Sequence, residues 1–311
     1  MIASVNALAG RDFLDVADLS AGELRQALDL AHAIKGGRWS QRPLQGRHIA
    51  MLFQKPSHRT RVSFEVGIAR LGGTATTLSE HDVQLGVRET VADAARVLDR
   101  YVDGVVARLR THDDLLELAA ASAKPVINGL TDRSHPCQVL ADLLTLEEKG
   151  GELAGQHVVY VGDGNNIAAS LIEASAVAGF RLTVVSPDGY EPKADVLERA
   201  RSITHEPLQV ELTSRLAGLG DATAIYTDVW ASMGQESERD ERRRAFAPYQ
   251  VNQAVMDAAP GAVFLHCLPA HRGEEVTDEV IDGPRSVVFD QAENRLYAQM
   301  AIMAELFGAE R

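Results

Sequence analysis

Short apolar runs alternate with segments of helical period along nearly the whole chain, and this alternation constrains the fold more than any other feature. His48–Phe53 predicts a strand. The following segment predicts a helix, with Val62, Val66 and Ala69 on one face and Phe64, Ile68 and Leu71 beside it, ended by Gly72–Gly73. Thr74 to Leu78 reads as a strand, Glu89 to Tyr101 as a helix and Gly104 to Ala107 as a strand. Asp113 to Ser122 then reads as a helix and Pro125 to Ile127 as a strand. A long helix from Pro136 to Lys149 runs to Gly150–Gly151, where a second series begins. That series has Val158–Val161 as a strand, Ile167–Ala178 as a helix and Leu182–Val185 as a strand. Ala224–Tyr226 and Val263–Leu265 follow as strands, and Glu293–Phe307 as a terminal helix. Near the start, Ser20 with Glu23 forms a capping-box pattern. Strand, helix, strand repeated in this way makes a parallel sheet covered by helices. Two such series in 311 residues exceed what one core usually holds, so the expected class is α/β with two domains.

The charge balance narrows the function. A net charge of −13 without a basic face argues against nucleic acid. The one basic cluster, Arg242 to Arg244, follows the mixed run Glu236–Glu241 and reads as a solvated face. Cys137 and Cys267 lie far apart, which is no disulfide framework and suits a reducing cytoplasm. The N-terminus lacks a secretory pattern, and no apolar run approaches the roughly 20 residues of a membrane span.

Three segments at expected strand ends carry chemistry. Phe53–Arg61 runs from a strand into a helix start, where Ser57 can cap and the hydroxyls of Ser57 and Thr60 point with the first N–H groups at one spot. A helix N-terminus favours anions, and Arg59 adds a planar fork matched to phosphate oxygens. Arg61 is expected in ion pairs within the fold. A capped helix with surface arginines fits the spacing equally well. Arg108 ends the apolar strand Val105–Ala107. His135 and Gln138 bracket Pro136 at a helix start, although a lone histidine is more often a satisfied structural group.

Three further segments follow strands in the second series. Gly162–Asp163–Gly164–Asn165–Asn166 resembles half of a dinucleotide fingerprint, but Ile167 stands where the third glycine belongs and Ser186–Pro187 follows the next strand. The turn can instead point the Asn166 amide at a carboxylate. Asp228, after Tyr226, can receive an ammonium group or cap a turn. Cys267 can be buried filler or a polarisable partner for a reacting amine.

Ser57-x-Arg59-Thr60-Arg61 with Ser63–Phe64–Glu65, His135–Pro136-x-Gln138 and Gln84–Leu85–Gly86 resemble the carbamoyl phosphate motifs of the aspartate and ornithine carbamoyltransferase family. Asp228-x-Trp230-x-Ser232–Met233–Gly234, the Gly162–Asn166 turn, His266–Cys267–Leu268–Pro269 and Asp290–Arg295 are similar to motifs of its ornithine branch. The resemblance covers nearly the whole chain in order. One departure is His58, where the family often has threonine and uses mainly the backbone N–H.

The resemblance implies two domains joined by long helices, with an active-site cleft between them. Residues 1–135 would bind carbamoyl phosphate, 136–150 form a linking helix, 151–290 bind ornithine, and 291–311 return as a helix to the first domain. Ser57, His58, Arg59, Thr60, Gln84, Arg108, His135, Gln138, Cys267, Leu268 and Arg295 would hold carbamoyl phosphate. Asn166, Asp228, Ser232 and Met233 would hold ornithine. Cys267, Arg59, Arg108 and His135 would be catalytic. No cofactor or metal is expected, since His135 and Cys137 show no ligand pattern. The implied partners are the two substrates and further copies of the chain, as a homotrimer or a multiple of trimers. An acidic loop with a neutral Ser-Met-Gly suits an acceptor with a cationic end. Alternatives are N-acetylornithine, putrescine or aspartate as acceptor, a nicotinamide-linked dehydrogenase, and a non-catalytic relic of the fold.

Overall fold

The computed structural model describes residues 8–204, 206–231 and 236–308. The chain forms two compact units, one running to Leu144 and resuming at Glu293, the other spanning Thr145–Ala292.

The first unit contains α1 (Ala21–Lys35), β1 (His48–Phe53), α2 (His58–Arg70), β2 (Thr74–Ser79), α3 (Val91–Leu98), β3 (Gly104–Arg108), α4 (His112–Ala121), β4 (Val126–Leu130) and the first part of α5 (Pro136–Gly150). All strand pairs are parallel, in the order β2-β1-β3-β4. The runs in β1 and β3 are almost wholly buried, as expected for strands covered on both faces. The threonine-rich β2 alternates in exposure because it is an edge strand. Phe53 pairs with Arg108, and Arg108 with Leu130, so the chain leaves three strands along one sheet edge. Strand order reverses between β1 and β3, and such switch points are where open parallel sheets bind ligands.

Some boundaries and faces differ from the sequence expectation. Asn128–Leu130 belong to β4 rather than to the loop after it, because Asn128 takes part in the ladder with its side chain donating to Leu14. On α2 the buried positions are Thr60, Phe64, Gly67 and Ile68, while Val62, Val66 and Ala69 face outward. Gly67 explains the choice of face: a Cβ there would stand 3.1 Å from Met303 and 3.2 Å from Met300. Those methionines lie on α11 (Val288–Phe307), whose later turns complete the first unit.

The second unit contains the end of α5, β5 (His157–Val161), α6 (Asn166–Ala178), β6 (Arg181–Val185), α7 (Ala194–Ile203), β7 (Val210–Thr213), β8 (Ala224–Thr227), α8 (Arg239–Phe246), α9 (Gln253–Ala258), β9 (Val263–His266), α10 (Asp278–Ile281) and the start of α11. Its strands are also parallel, in the order β7-β6-β5-β8-β9. The order reverses between β5 and β8. Val159, Val161, Ile225 and Phe264 anchor a core shared with Val255, Met256, Val276 and Ile281. The pattern did not disclose β7 or α7 to α10; β7 is a short, half-exposed edge, and α10 is a single turn. α11 begins before Glu293, so the segment Asp290–Arg295 is helical.

Candidate active site

The first unit gathers donors at its switch point. Ser57 caps α2, its Oγ accepting from the Thr60 N–H at 3.3 Å and donating to Thr60 Oγ1 at 3.2 Å. Arg59 is half-buried on the first turn, and His58 is exposed. Arg61 pairs with Glu65 at 2.9 Å. The bond from Thr77, then that from Arg61, holds the Glu65 carboxyl below its ordinary range. Arg108 is buried at the end of β3 and donates from Nε to the Lys55 carbonyl at 3.2 Å, tying that strand to the turn before α2.

His135 and Gln138 are buried at the start of α5, and Arg295 reaches both from α11. Its Nη1 lies 3.2 Å from His135 Nε2 and 2.5 Å from Gln138 Oε1, and its Nη2 donates to Thr60 Oγ1 at 3.2 Å. A guanidinium only donates, so Nε2 accepts here and the His135 proton sits on Nδ1. Burial holds this ring well below its ordinary pKa, and the charges of Arg295, Arg108 and Arg59 push in the same direction. His135 is therefore neutral, ringed by three cations in a chain whose net charge is −13. Such focused positive charge calls for a small anion.

Gln84 is exposed on a turn whose carbonyl accepts from the Val87 and Arg88 N–H groups. Gln84, Ser57 and His58 line a groove of about 850 Å³ with Arg61, Glu80 and His81.

The second unit gathers acceptors at its own switch point. Asp228 is buried just beyond β8. Its Oδ2 accepts from Asn165 Nδ2 at 2.9 Å, and its Oδ1 accepts from the Cys267 thiol at 3.1 Å. Asn165 also caps α6, its Oδ1 accepting from the N–H groups of Ile167 and Ala168 and from the Tyr160 hydroxyl at 3.2 Å. Burial first, then the charge of Asp228, raises the Tyr160 phenol well above its ordinary range, so it serves as a donor. Asn165 was not singled out from sequence, although an asparagine before an apolar helix is a common cap. Asn166 is half-buried and opens α6. The turn before it demands glycine at 164, where a Cβ would stand 2.2 Å from Pro192 N.

Cys267 and Leu268 follow β9. His266 accepts the Leu268 N–H on Nδ1 at 2.9 Å, which leaves Nε2 to donate to Glu275 at 3.1 Å. Leu268 lies at φ +56°, unusual for a branched residue, and precedes a cis Pro269. The donor atoms of Asp228, His266 and Cys267 lie within 4.8 Å of one another, as do those of His271, Glu274 and Glu275. In the first group both His266 nitrogens are already bonded, so ligation would have to break one of those bonds.

Arg242 corrects the sequence reading of a solvated basic face. It is buried, pairs with Asp163 at 3.0 Å and Glu238 at 2.9 Å, donates to the Trp230 carbonyl at 3.1 Å, and stacks over Tyr190. Burial raises the Asp163 carboxyl, and Arg242 opposes that shift. Ser232 and Met233 lie outside the described residues.

Two family descriptions match in order: "Aspartate/ornithine carbamoyltransferase, carbamoyl-P binding domain" over residues 11–148, and its "Asp/Orn binding domain" over residues 154–306. The ornithine carbamoyltransferase of Thermococcus kodakarensis is 51% identical over 320 residues, covering 98% of each chain. A Pyrococcus furiosus relative named ornithine carbamoyltransferase, anabolic, is 51% identical over 318 residues, again with 98% of each covered. A solved ornithine carbamoyltransferase from Pyrococcus furiosus superposes with a TM-score of 0.93 at 52% identity, covering 98% of this chain and 99% of that one. Two parallel sheets with a cationic switch point in one and an acidic one in the other thus coincide with both halves of a single family, and the chain belongs to the aspartate/ornithine carbamoyltransferases.

Proposed function

We infer that this protein transfers the carbamoyl group of carbamoyl phosphate to the side-chain amine of L-ornithine, giving L-citrulline and phosphate. The observation that carries the reading is the ring of Arg59, Arg108 and Arg295 about a buried, neutral His135 beside the capped start of α2. A dianionic phosphate is the charge complement of such a ring. Ser57, Arg59, Thr60 and the first turn of α2 would take the phosphate, with His58 giving its backbone N–H and Gln84 reaching in from the turn of a neighbouring copy. Charge developing on the leaving phosphate then meets preorganised donors.

The carbamoyl group would lie against Arg108, His135 and Gln138, with the Leu268 segment and Arg295 also contacting the donor. Gln138 presents an oxygen, which suits the carbamoyl NH₂. His135 can donate from Nε2 to the carbamoyl oxygen only as its other tautomer, once Arg295 has turned from it to the substrate.

The acceptor amine attacks the carbamoyl carbon, the bond to the phosphate oxygen breaks, and the nitrogen loses a proton. An alkyl ammonium has a pKa of about 10.4, so only about one in 10³ is neutral near pH 7. Asp228 orients this group, with Cys267 beside it as a candidate proton acceptor. Asn166, Ser232 and Met233 would hold the amino-acid end. Ornithine fits better than aspartate because, among the described residues, Asp228 bonds an amide and a thiol, not the extra cation a second carboxylate needs.

The relative named anabolic supports a role in arginine synthesis. Among the described residues no helix is long and apolar enough to cross a membrane. A cytoplasmic enzyme working as a trimer or a multiple of trimers, without metal or cofactor, completes the reading. The test is citrulline formation by the purified chain, with N-acetylornithine, putrescine and aspartate as competing acceptors. Ornithine is expected to be carbamoylated first. No citrulline, or preference for another acceptor, rejects the reading.

A further inference from the structure

Gln138 and Asp142 lie one turn apart on α5, and both side chains are fully buried. Gln138 Nε2 donates to Asp142 Oδ1 at 2.8 Å, while Gln138 Oε1 accepts from Arg295 Nη1 at 2.5 Å. A side-chain amide has two chemically opposite ends on one planar group, and a half-turn about its last bond exchanges them. Here both neighbours reject that exchange. A carboxylate oxygen facing the amide oxygen would repel it, and a guanidinium facing the amide NH₂ would set donor against donor. Asp142 alone is enough to send the oxygen toward His135 and Arg295.

The group that fills this spot in the structure is informative. Arg295 Nη1 is a planar nitrogen bearing two hydrogens, and it donates to Gln138 Oε1. A carbamoyl NH₂ has the same planar geometry and donor count. An acetyl group has the same size but a methyl in that place, with nothing to donate.

We propose that Asp142 is a positioning residue that selects the acyl donor. By holding the amide of Gln138 with its oxygen toward the site, it makes the site accept a carbamoyl phosphate and refuse an acyl phosphate that lacks an NH₂. This rests on the reading that the first unit holds carbamoyl phosphate. Asp142 touches Gln138 and acts through it. Sites built to bond a substrate N–H discriminate strongly against analogues without one, because a buried acceptor is then left unmatched.

The test compares carbamoyl phosphate, acetyl phosphate and inorganic phosphate on the whole enzyme, wild type and Asp142→Asn. An asparagine offers Gln138 either an oxygen or an NH₂, so it no longer dictates which end faces the site. The expected result is a KM for carbamoyl phosphate raised about tenfold, about the weight of one lost hydrogen bond. The inhibition constants of phosphate and acetyl phosphate should stay within about twofold, since neither bonds to Gln138 through an NH₂.

A purely structural role would weaken all three together, and that outcome overturns the proposal, as does an unchanged KM for carbamoyl phosphate. If Asp142→Asn does not fold, Asp142→Ser, whose hydroxyl also donates and accepts, is read in the same way. Failure of both to fold assigns Asp142 to the fold and also overturns the proposal. A wild type that binds acetyl phosphate as well as carbamoyl phosphate overturns the proposal, and one that binds no carbamoyl phosphate rejects the substrate reading itself. A selective wild type with an equally selective variant rejects only the role of Asp142.

Discussion

The two units build their sites with one backbone device and opposite charge. In each, a parallel strand at the switch point turns directly into a helix, β1 into α2 and β5 into α6. On α2 the cap is a serine hydroxyl that takes the Thr60 N–H, and the side chains around it are guanidinium groups. On α6 the cap is an asparagine that takes two N–H groups and turns its own NH₂ to a buried carboxylate. The fold therefore supplies position, and the side chains supply sign. Both sites also carry internal partners. Arg295 bonds His135, Gln138 and Thr60, and Cys267 with Asn165 bonds Asp228. On the proposed reading substrate would replace or join these bonds, so each site would be held in shape beforehand, at some cost in affinity.

If the cationic half stabilises the departing phosphate, Arg59→Ala should lower citrulline turnover by about 10²–10³-fold. The KM for ornithine should barely move. A loss confined to ornithine affinity would show that the charge contrast between the units has been misread.

Cys267→Ala sharpens the acidic half. With the thiol taking part in proton transfer, turnover should fall by about 10²-fold and the pH profile of kcat should move. Identical kinetics across pH would leave Cys267 as only a neighbour of Asp228. Asp228→Asn keeps the shape and removes the charge. It should raise the KM for ornithine by about tenfold or more, the weight of a charge-assisted hydrogen bond. The KM for carbamoyl phosphate should hold, and an equal rise in both would blur the division of labour.

The smallest effect concerns stability. His135 has a folded pKa well below its ordinary value of 6.5, because burial and three arginines disfavour its charged form. The unfolded chain thus takes up a proton here that the folded chain refuses. The contribution is complete above about pH 6.5 and is lost progressively as pH falls below it. Calorimetry between about pH 7 and 5 should show a falling melting temperature, with a shallower slope in His135→Gln. His157, also lowered by burial, keeps part of the slope in the variant. Equal slopes would remove His135 from the account.

The sequence was legible where backbone pattern decides. Apolar runs between helix-period segments marked β1, β3, β5 and β6 because those strands are buried on both faces. The Ser57 cap and the strand-end place of Arg108 followed from the same pattern. Short or half-exposed pieces such as β7 and α10 left no such mark. Arg242 was misplaced because its neighbours Arg243 and Arg244 are exposed, as a solvated helix face would be, while Arg242 is buried against Asp163 and Trp230.

By itself the sequence determined two parallel-sheet units and the strand ends at which charged groups collect, since both follow from periodicity over a few residues. Only the tertiary structure decided which of those groups meet. Arg295 joins Thr60 and Gln138, Asn165 rather than Asn166 grips Asp228, and Asp142 fixes an amide. Most of these bonds link residues far apart in the chain, and each depends on side-chain direction to within a fraction of an ångström. Hydrophobic period encodes neither.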